Sequence, residues 1–184
     1  MRAIEILMEE HRVIERVLNA LEKAASRLSR SEDVYLRFFT GTTVFIKSFT
    51  DGCHHKKEEV VLFPALIENG LSKESGPIAM MLVEHEEGRR LAQMLRQSVE
   101  RVQAGEVRKR EAIVENATGY IKLIRQHIAK EDKVLFPMAD KVIPTTQQEQ
   151  ILQAFTQFER DEKGEDIHEK YYGLAGRLEK ECLR

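Results

Sequence analysis

Apolar side chains recur along this chain at alternating steps of three and four, the spacing that keeps them on one stripe of an α-helix. Ile4, Leu7, His11, Ile14, Leu18 and Leu21 form one series. Ile78, Met81, His85, Gly88, Ala92, Leu95 and Val99 form another. Ile113, Ala117, Tyr120, Ile124, His127, Glu131, Val134 and Met138 form a third. A less regular stripe passes through Leu36, Phe39, Thr43, Ile46, Thr50, His54, Glu58, Val61 and Ala65. The strict alternation of a half-buried strand is absent. The stripes predict helices near 2–28, 32–68, 77–103 and 107–141.

Boundary residues support this division. Ser31, followed by Glu32 and Asp33, reads as an N-cap with acids in the first turn. Asn69-Gly70 reads as a helix stop, Gly76-Pro77 as a start and Gly105 as a separator. Short links between long helices make neighbours antiparallel. The expected fold is all-α: an up-down-up-down four-helix bundle over residues 1–143. Beyond Pro144, Thr146 and Glu149 suggest a capping box opening a helix near 146–160. Gly164 breaks it, and a last helix runs near 165–182. Residues 144–184 are thus expected to be a C-terminal helical extension that packs on the bundle or joins a dimer, with no chemistry of its own.

The stripes also repeat. "HHKKEEVVLFP" (54–64) and "HIAKEDKVLFP" (127–137) agree at seven of eleven positions. "EEHRVIERVLNAL" around His11 matches "VEHEEGRRLAQML" around His85 in placement. One αα-hairpin is used twice, each copy giving a His and then a His-x-x-x-Glu. Seam positions that should be apolar therefore hold His11, His54, His85 and His127, with Glu58 and Glu131. A spacing of four puts each His-Glu pair on one helical face. Buried imidazoles and carboxylates are costly unless paired or bound to metal. Six of them drawn from four helices point to metal ligation. They are too many for one tetrahedral zinc. They suit two ions, two imidazoles each, with both carboxylates bridging and some positions open.

The repeat register aligns His54 with His127, so His55 reads as peripheral or surface. His168, in "EDIHEK", reads as solvated, and Tyr120 as core. Gly88 and Ala92 leave either a cavity beside His85 or close helix packing. Pro64 and Pro137 are expected to kink or end their helices.

The charge balance of −2 with both signs mixed leaves no basic block for nucleic acid. Acids within "MRAIEILMEEH" break any signal-peptide core, and no apolar run is long enough for a bilayer. With Cys53 and Cys182 expected as free thiols, the natural compartment is the cytoplasm.

The six residues, in "EEHRVIE", "CHHKKEEVVLFP", "VEHEEGR" and "HIAKEDKVLFP", resemble the hemerythrin family, specifically its HHE cation-binding branch. The resemblance covers about 5–140. It implies a non-haem di-iron centre with an oxo or hydroxo bridge, bridging carboxylates at Glu58 and Glu131, and terminal imidazoles from His11 and His54 on one iron and His85 and His127 on the other. The family's oxygen carriers have a further His where this chain has Arg89. That leaves the iron beside His85 more open and disfavours a simple reversible carrier. The expected ligands are dioxygen, peroxide or nitric oxide, with room for an electron-transfer partner, no nucleic acid or membrane, and a monomer or homodimer. An iron- or gas-sensing module without turnover and a metal-free structural bundle are the competing readings.

Overall fold

A computed structural model describes residues 1–106, 110–163 and 167–183. The expected helix start near 107 and the break at Gly164 lie outside the described residues. The described residues form six helices: α1 (Arg2–Ser29), α2 (36–68), α3 (Gly76–Gln103), α4 (110–142), α5 (Thr145–Lys163) and α6 (Ile167–Glu181). No strand occurs among the described residues. None of the helices is long and apolar enough to cross a membrane.

Helix ends follow backbone chemistry, with two corrections. Ser31 does not cap α2. It adopts φ 62°, and the Glu32 N–H donates to the Arg27 carbonyl, closing the end of α1. α2 then opens at Leu36, with Tyr35 before it and no side-chain cap. Gly70 (φ 97°) and Gly105 (φ 98°) close α2 and α3 through the same bond, Leu71 to Leu66 and Glu106 to Arg101. Thr146 lies within α5, which starts one residue earlier, so it is not the cap that the capping box called for.

α4 packs on both α1 and α3, and α2 on α3. α6 lies against α1 and α2, and α5 against α1 and the end of α2. The core has two apolar clusters. One includes Leu18, Phe39, Phe49, Leu95 and Ile124; the other includes Leu7, Phe63, Leu66, Met81 and Phe136. Along each of α1 to α4, the buried histidines fall where one cluster gives way to the other.

The stripes break register at the repeat motif. Glu58–Leu62 and Glu131–Leu135 are π-helical turns. The Phe63 N–H donates to the Glu58 carbonyl and the Phe136 N–H to the Glu131 carbonyl, five residues back. Each wide turn adds a residue, so the inward face moves one position along. Leu62, Phe63 and Leu66 are buried in place of Val61 and Ala65, and Leu135, Phe136 and Ala139 in place of Val134 and Met138. Proline follows directly at 64 and 137, where it has no N–H and crowds the carbonyl four residues back. The wide turn accommodates this, and the helix continues instead of ending.

A longer π-helical stretch, Ile46–His55, precedes the first motif. A wide turn rotates each residue by less than the ~100° of an α-helix. Consecutive Cys53, His54 and His55 are accordingly all buried. Cys182 is buried too, and the two cysteines are not joined by a disulfide.

Candidate metal centre

None of His11, His54, Glu58, His85, His127 and Glu131 is more than 2% exposed. They meet in two overlapping groups. His11, His54, Glu58 and Glu131 form one; Glu58, His85 and His127, joined by His55, form the other. Within each group the ligand atoms lie within 4.8 Å of one another. His11 and His54 thus fall in the first group, and His85 and His127 in the second. His55 is the addition: it is 3% exposed, and its ring stacks on that of His85 with centroids 4.0 Å apart.

Every ring is turned the same way by an acid behind it. His11 Nδ1 faces Asp132 at 2.8 Å and His85 Nδ1 faces Glu59 at 2.8 Å. His54 Nδ1 faces Glu10 at 2.9 Å and His127 Nδ1 faces Glu84 at 3.1 Å. These four pairings follow the sequence repeat. A carboxylate only accepts, so Nδ1 carries the proton and donates, and Nε2 is left as a lone-pair donor to metal. His55 is held more loosely, with Asp51 at 3.7 Å, because Arg89 holds Asp51 at 2.7 Å.

The Nε2 atoms converge on Glu58 and Glu131. His11 and His127 stand 3.2 Å from Glu131, while His54 and His85 stand 3.6 Å and 3.4 Å from Glu58. The Nε2 atoms of His85 and His127 are 3.2 Å apart. No hydrogen-bond partner within the described residues satisfies either oxygen of Glu58 or Glu131, or Nε2 of His11 or His54. Buried acceptors facing acceptors need a cation between them. Ligands about 2.1 Å from one ion sit ~3.0–3.4 Å apart around it. Four of the five observed separations fall in that range and the fifth, His54 to Glu58 at 3.6 Å, lies just beyond it, so the residues present can hold metal.

Protonation shows the same demand for positive charge. Burial alone would lower His11 and His85, yet their carboxylate neighbours outweigh it and raise them to about 10 and about 9. Burial, helped by the repulsion of Glu131, raises Glu58 to about 7. Burial holds His54 and His55 well below the usual imidazole range. Without metal, protons on His11 and His85 offset the two central carboxylates. Metal ions take the same lone pairs and displace those protons.

Two features frame the cluster. Phe136 stacks on the His11 ring at 5.4 Å and Phe63 on His85 at 5.8 Å. The "LFP" ending thus supplies an apolar lid for a histidine in the other half of the repeat. Phe63→Ala or Phe136→Ala is expected to lower stability by about 3–5 kcal/mol, as measured by urea unfolding. On the other side, a pocket of about 240 Å³ reaches His55 past Ile46, Gly88, Ala92 and Tyr120. Gly88 and Ala92, positions expected to leave a cavity or allow close helix packing, both line this pocket, and a Cβ at Gly88 would also touch Ile124 at 3.4 Å. Arg89, at the position where the oxygen carriers have a further His, is paired with Asp51, Glu59 and Glu86.

Sequence reading missed the acids behind the rings, although they recur in the repeat. Glu10 and Glu84 each precede a histidine, Glu59 and Asp132 each follow a glutamate, and Lys57 and Lys130 each stand three residues after a histidine. His55 had no such signal, since its counterpart is Ile128. His168, read as solvated, is 37% exposed and pairs with Glu159 at 3.0 Å.

The sequence profile described as the Hemerythrin HHE cation binding domain matches residues 2–139. Among curated proteins, the chain is 25% identical over 174 residues to uncharacterized protein Rv1995 of Mycobacterium tuberculosis (strain ATCC 25618 / H37Rv). It is equally similar to uncharacterized protein Mb2018 of Mycobacterium bovis. Each alignment covers 95% of this chain but 64% of the relative, so the chain spans under two thirds of the length of the curated proteins it matches. No solved structure matches.

Proposed function

The chain belongs to the hemerythrin HHE cation-binding family, and on that premise we propose that it is a non-haem di-iron protein whose centre binds or reacts with dioxygen, peroxide or nitric oxide. In this reading α1 to α4 form an up-down-up-down bundle. His11 and His54 would hold one ion and His55, His85 and His127 the other, with Glu58 and Glu131 as the carboxylates available to both. Four Nε2 atoms aimed at donor-free carboxylates carry this reading. Two iron ions there supply electrons to a small oxidant or a place for a diatomic ligand.

The chain's own residues do the rest. The ring-facing acids keep each Nδ1 protonated and each Nε2 basic. The Phe63 and Phe136 rings cover the cluster from one side. The pocket beside His55 is the approach for a small ligand. Turnover calls for an electron donor outside this chain. Two cysteines that are not joined by a disulfide agree with a reducing cytoplasm.

Metal analysis of protein produced with iron tests the proposal. Roughly two irons per chain are expected, with near-ultraviolet and visible absorption that changes on reduction and on exposure to each of the three ligands. Two firmly held zinc ions, with spectra indifferent to all of these treatments, would overturn it. His55→Ala separates the two positions. It is expected to weaken one ion by about 10–100-fold and spare the other, as read by competition with a chelator. Equal weakening of both would contradict the assignment.

A further inference from the structure

The repeat gives both halves of the molecule the same chain of charges. In the second half His127 Nδ1 faces Glu84, and Glu84 is held by Lys130, whose side chain is 38% exposed. In the first half His54 Nδ1 faces Glu10, and Glu10 is held by Lys57. Here both charged side chains are completely buried.

The difference comes from the C-terminal helices. α5 brings Glu159, whose Oε1 accepts from Lys57 Nζ at 2.6 Å, and Phe155, whose ring lies 5.6 Å from the same ammonium. α6 brings His168, whose Nε2 donates to Glu159 at 3.0 Å and stands 3.8 Å from Glu10. The face of Tyr172 closes on His168 at 5.5 Å. Glu159 and His168 border a surface depression, so the chain of contacts runs from solvent to a histidine of the cluster. The family profile ends at 139, before the residues that α5 and α6 contribute.

Coulomb interactions in so dry a setting are several times stronger than at the surface. Lys57 shares its charge between two carboxylates. The more tightly Glu159 holds it, the more freely Glu10 pulls on the proton at His54 Nδ1. A stronger pull makes Nε2 a better metal ligand. The solvated Lys130 pair has no such partner among the described residues, and water screens it.

We propose that α5 and α6 give the molecule selective control over one metal position, exerted on His54 through Glu159, Lys57 and Glu10. This rests on the reading of the cluster as a two-metal site. Lys57, Glu159 and His168 are positioning residues, since none belongs to the two groups of the cluster; Glu159 and His168 form a third group of potential ligands with Glu10, where the Lys57 ammonium already pairs with both carboxylates.

Cobalt(II) titration followed by absorption, with His55→Ala marking which step belongs to which position, tests it. Glu159→Gln leaves Lys57 wholly on Glu10. The ion at His11 and His54 should bind about tenfold more weakly, while the other stays within about threefold. His168→Ala frees Glu159 to hold Lys57 harder, so the same ion should bind severalfold more tightly. Lys130→Gln should leave the His54 position unchanged. Simple loosening of the fold weakens binding in both variants and cannot give opposite signs. Glu159→Asp should recover part of the loss.

A metal-free readout stands beside this. With histidine ring nitrogens labelled with ¹⁵N, Glu159→Gln should move the His54 resonances and leave those of His127 in place. Equal changes at both positions, no change at either, or the same sign for both variants would overturn the proposal. Failure of the unaltered protein to take up cobalt would overturn the two-metal reading itself. A Glu159→Gln effect confined to His54 in the metal-free spectra would still support the contact path.

Discussion

Glu58→Gln is expected to stabilise the protein without metal and destabilise it with metal. Glu58 is fully buried, and nothing in the described residues hydrogen-bonds to either oxygen. Burial first, and then Glu131, raises its carboxyl to about 7. A carboxyl whose folded pKa is raised binds its proton more tightly when folded. It therefore lowers stability as pH climbs from its usual value to the raised one. An amide carries no charge to desolvate. The metal-free variant should match the parent protein below about pH 4.5 and exceed it by about 1–3 kcal/mol above pH 7. With metal the sign reverses, because a neutral amide is a poor bridge between two cations. The variant should then lose most of the stability that metal contributes. Urea unfolding with iron and with chelator, at acid and neutral pH, gives the comparison. Destabilisation of the same size under both conditions would mean that Glu58 is a structural residue only.

Removing metal from the unaltered protein is the second large effect. The folded cluster presents a complete set of nitrogen and oxygen ligands, whereas the unfolded chain presents them scattered. An ion at a thousand times its dissociation constant stabilises the fold by about 4 kcal/mol. For a chain of this size each kcal/mol moves the thermal midpoint by about 2–4 °C. Chelation is therefore expected to lower the midpoint by roughly 10 °C, with full recovery on adding iron back. A midpoint that moves by less than about 2 °C would show that protons on His11 and His85 serve the cluster as well as metal does.

The stripes at steps of three and four made the helices legible, and the repeated motif made six of the seven clustered residues legible. His55 was lost because the repeat was used to decide between neighbours, and the repeat is blind to a residue present in one copy only. The π-helical turns were lost for a different reason. Their signal is not a residue type but a bond drawn from Phe63 to Glu58, five residues back, in a helix that also has a proline to accommodate. Val61 and Val134 obey the α-helical stripe and still face away from the core or sit at its edge. Ser31 looked like a cap because the serine hydroxyl suits one, yet its backbone closes the preceding helix. The tail looked inert because Glu159 and His168 acquire a role only through Lys57, and a lysine so deeply buried is invisible to a scan for charge.

The lids and two of the four orienting acids cross between the two hairpins, while Glu10 and Glu84 each orient a histidine of their own hairpin. Phe136 and Asp132 serve His11, while Phe63 and Glu59 serve His85. Neither hairpin alone owns a finished half of the centre. The connection between α2 and α3, where residues 72–75 are all exposed, therefore acts as a tether. It raises the effective concentration of one hairpin near the other. Its length and composition are free to drift, while any change that alters how the hairpins meet reaches both ions at once.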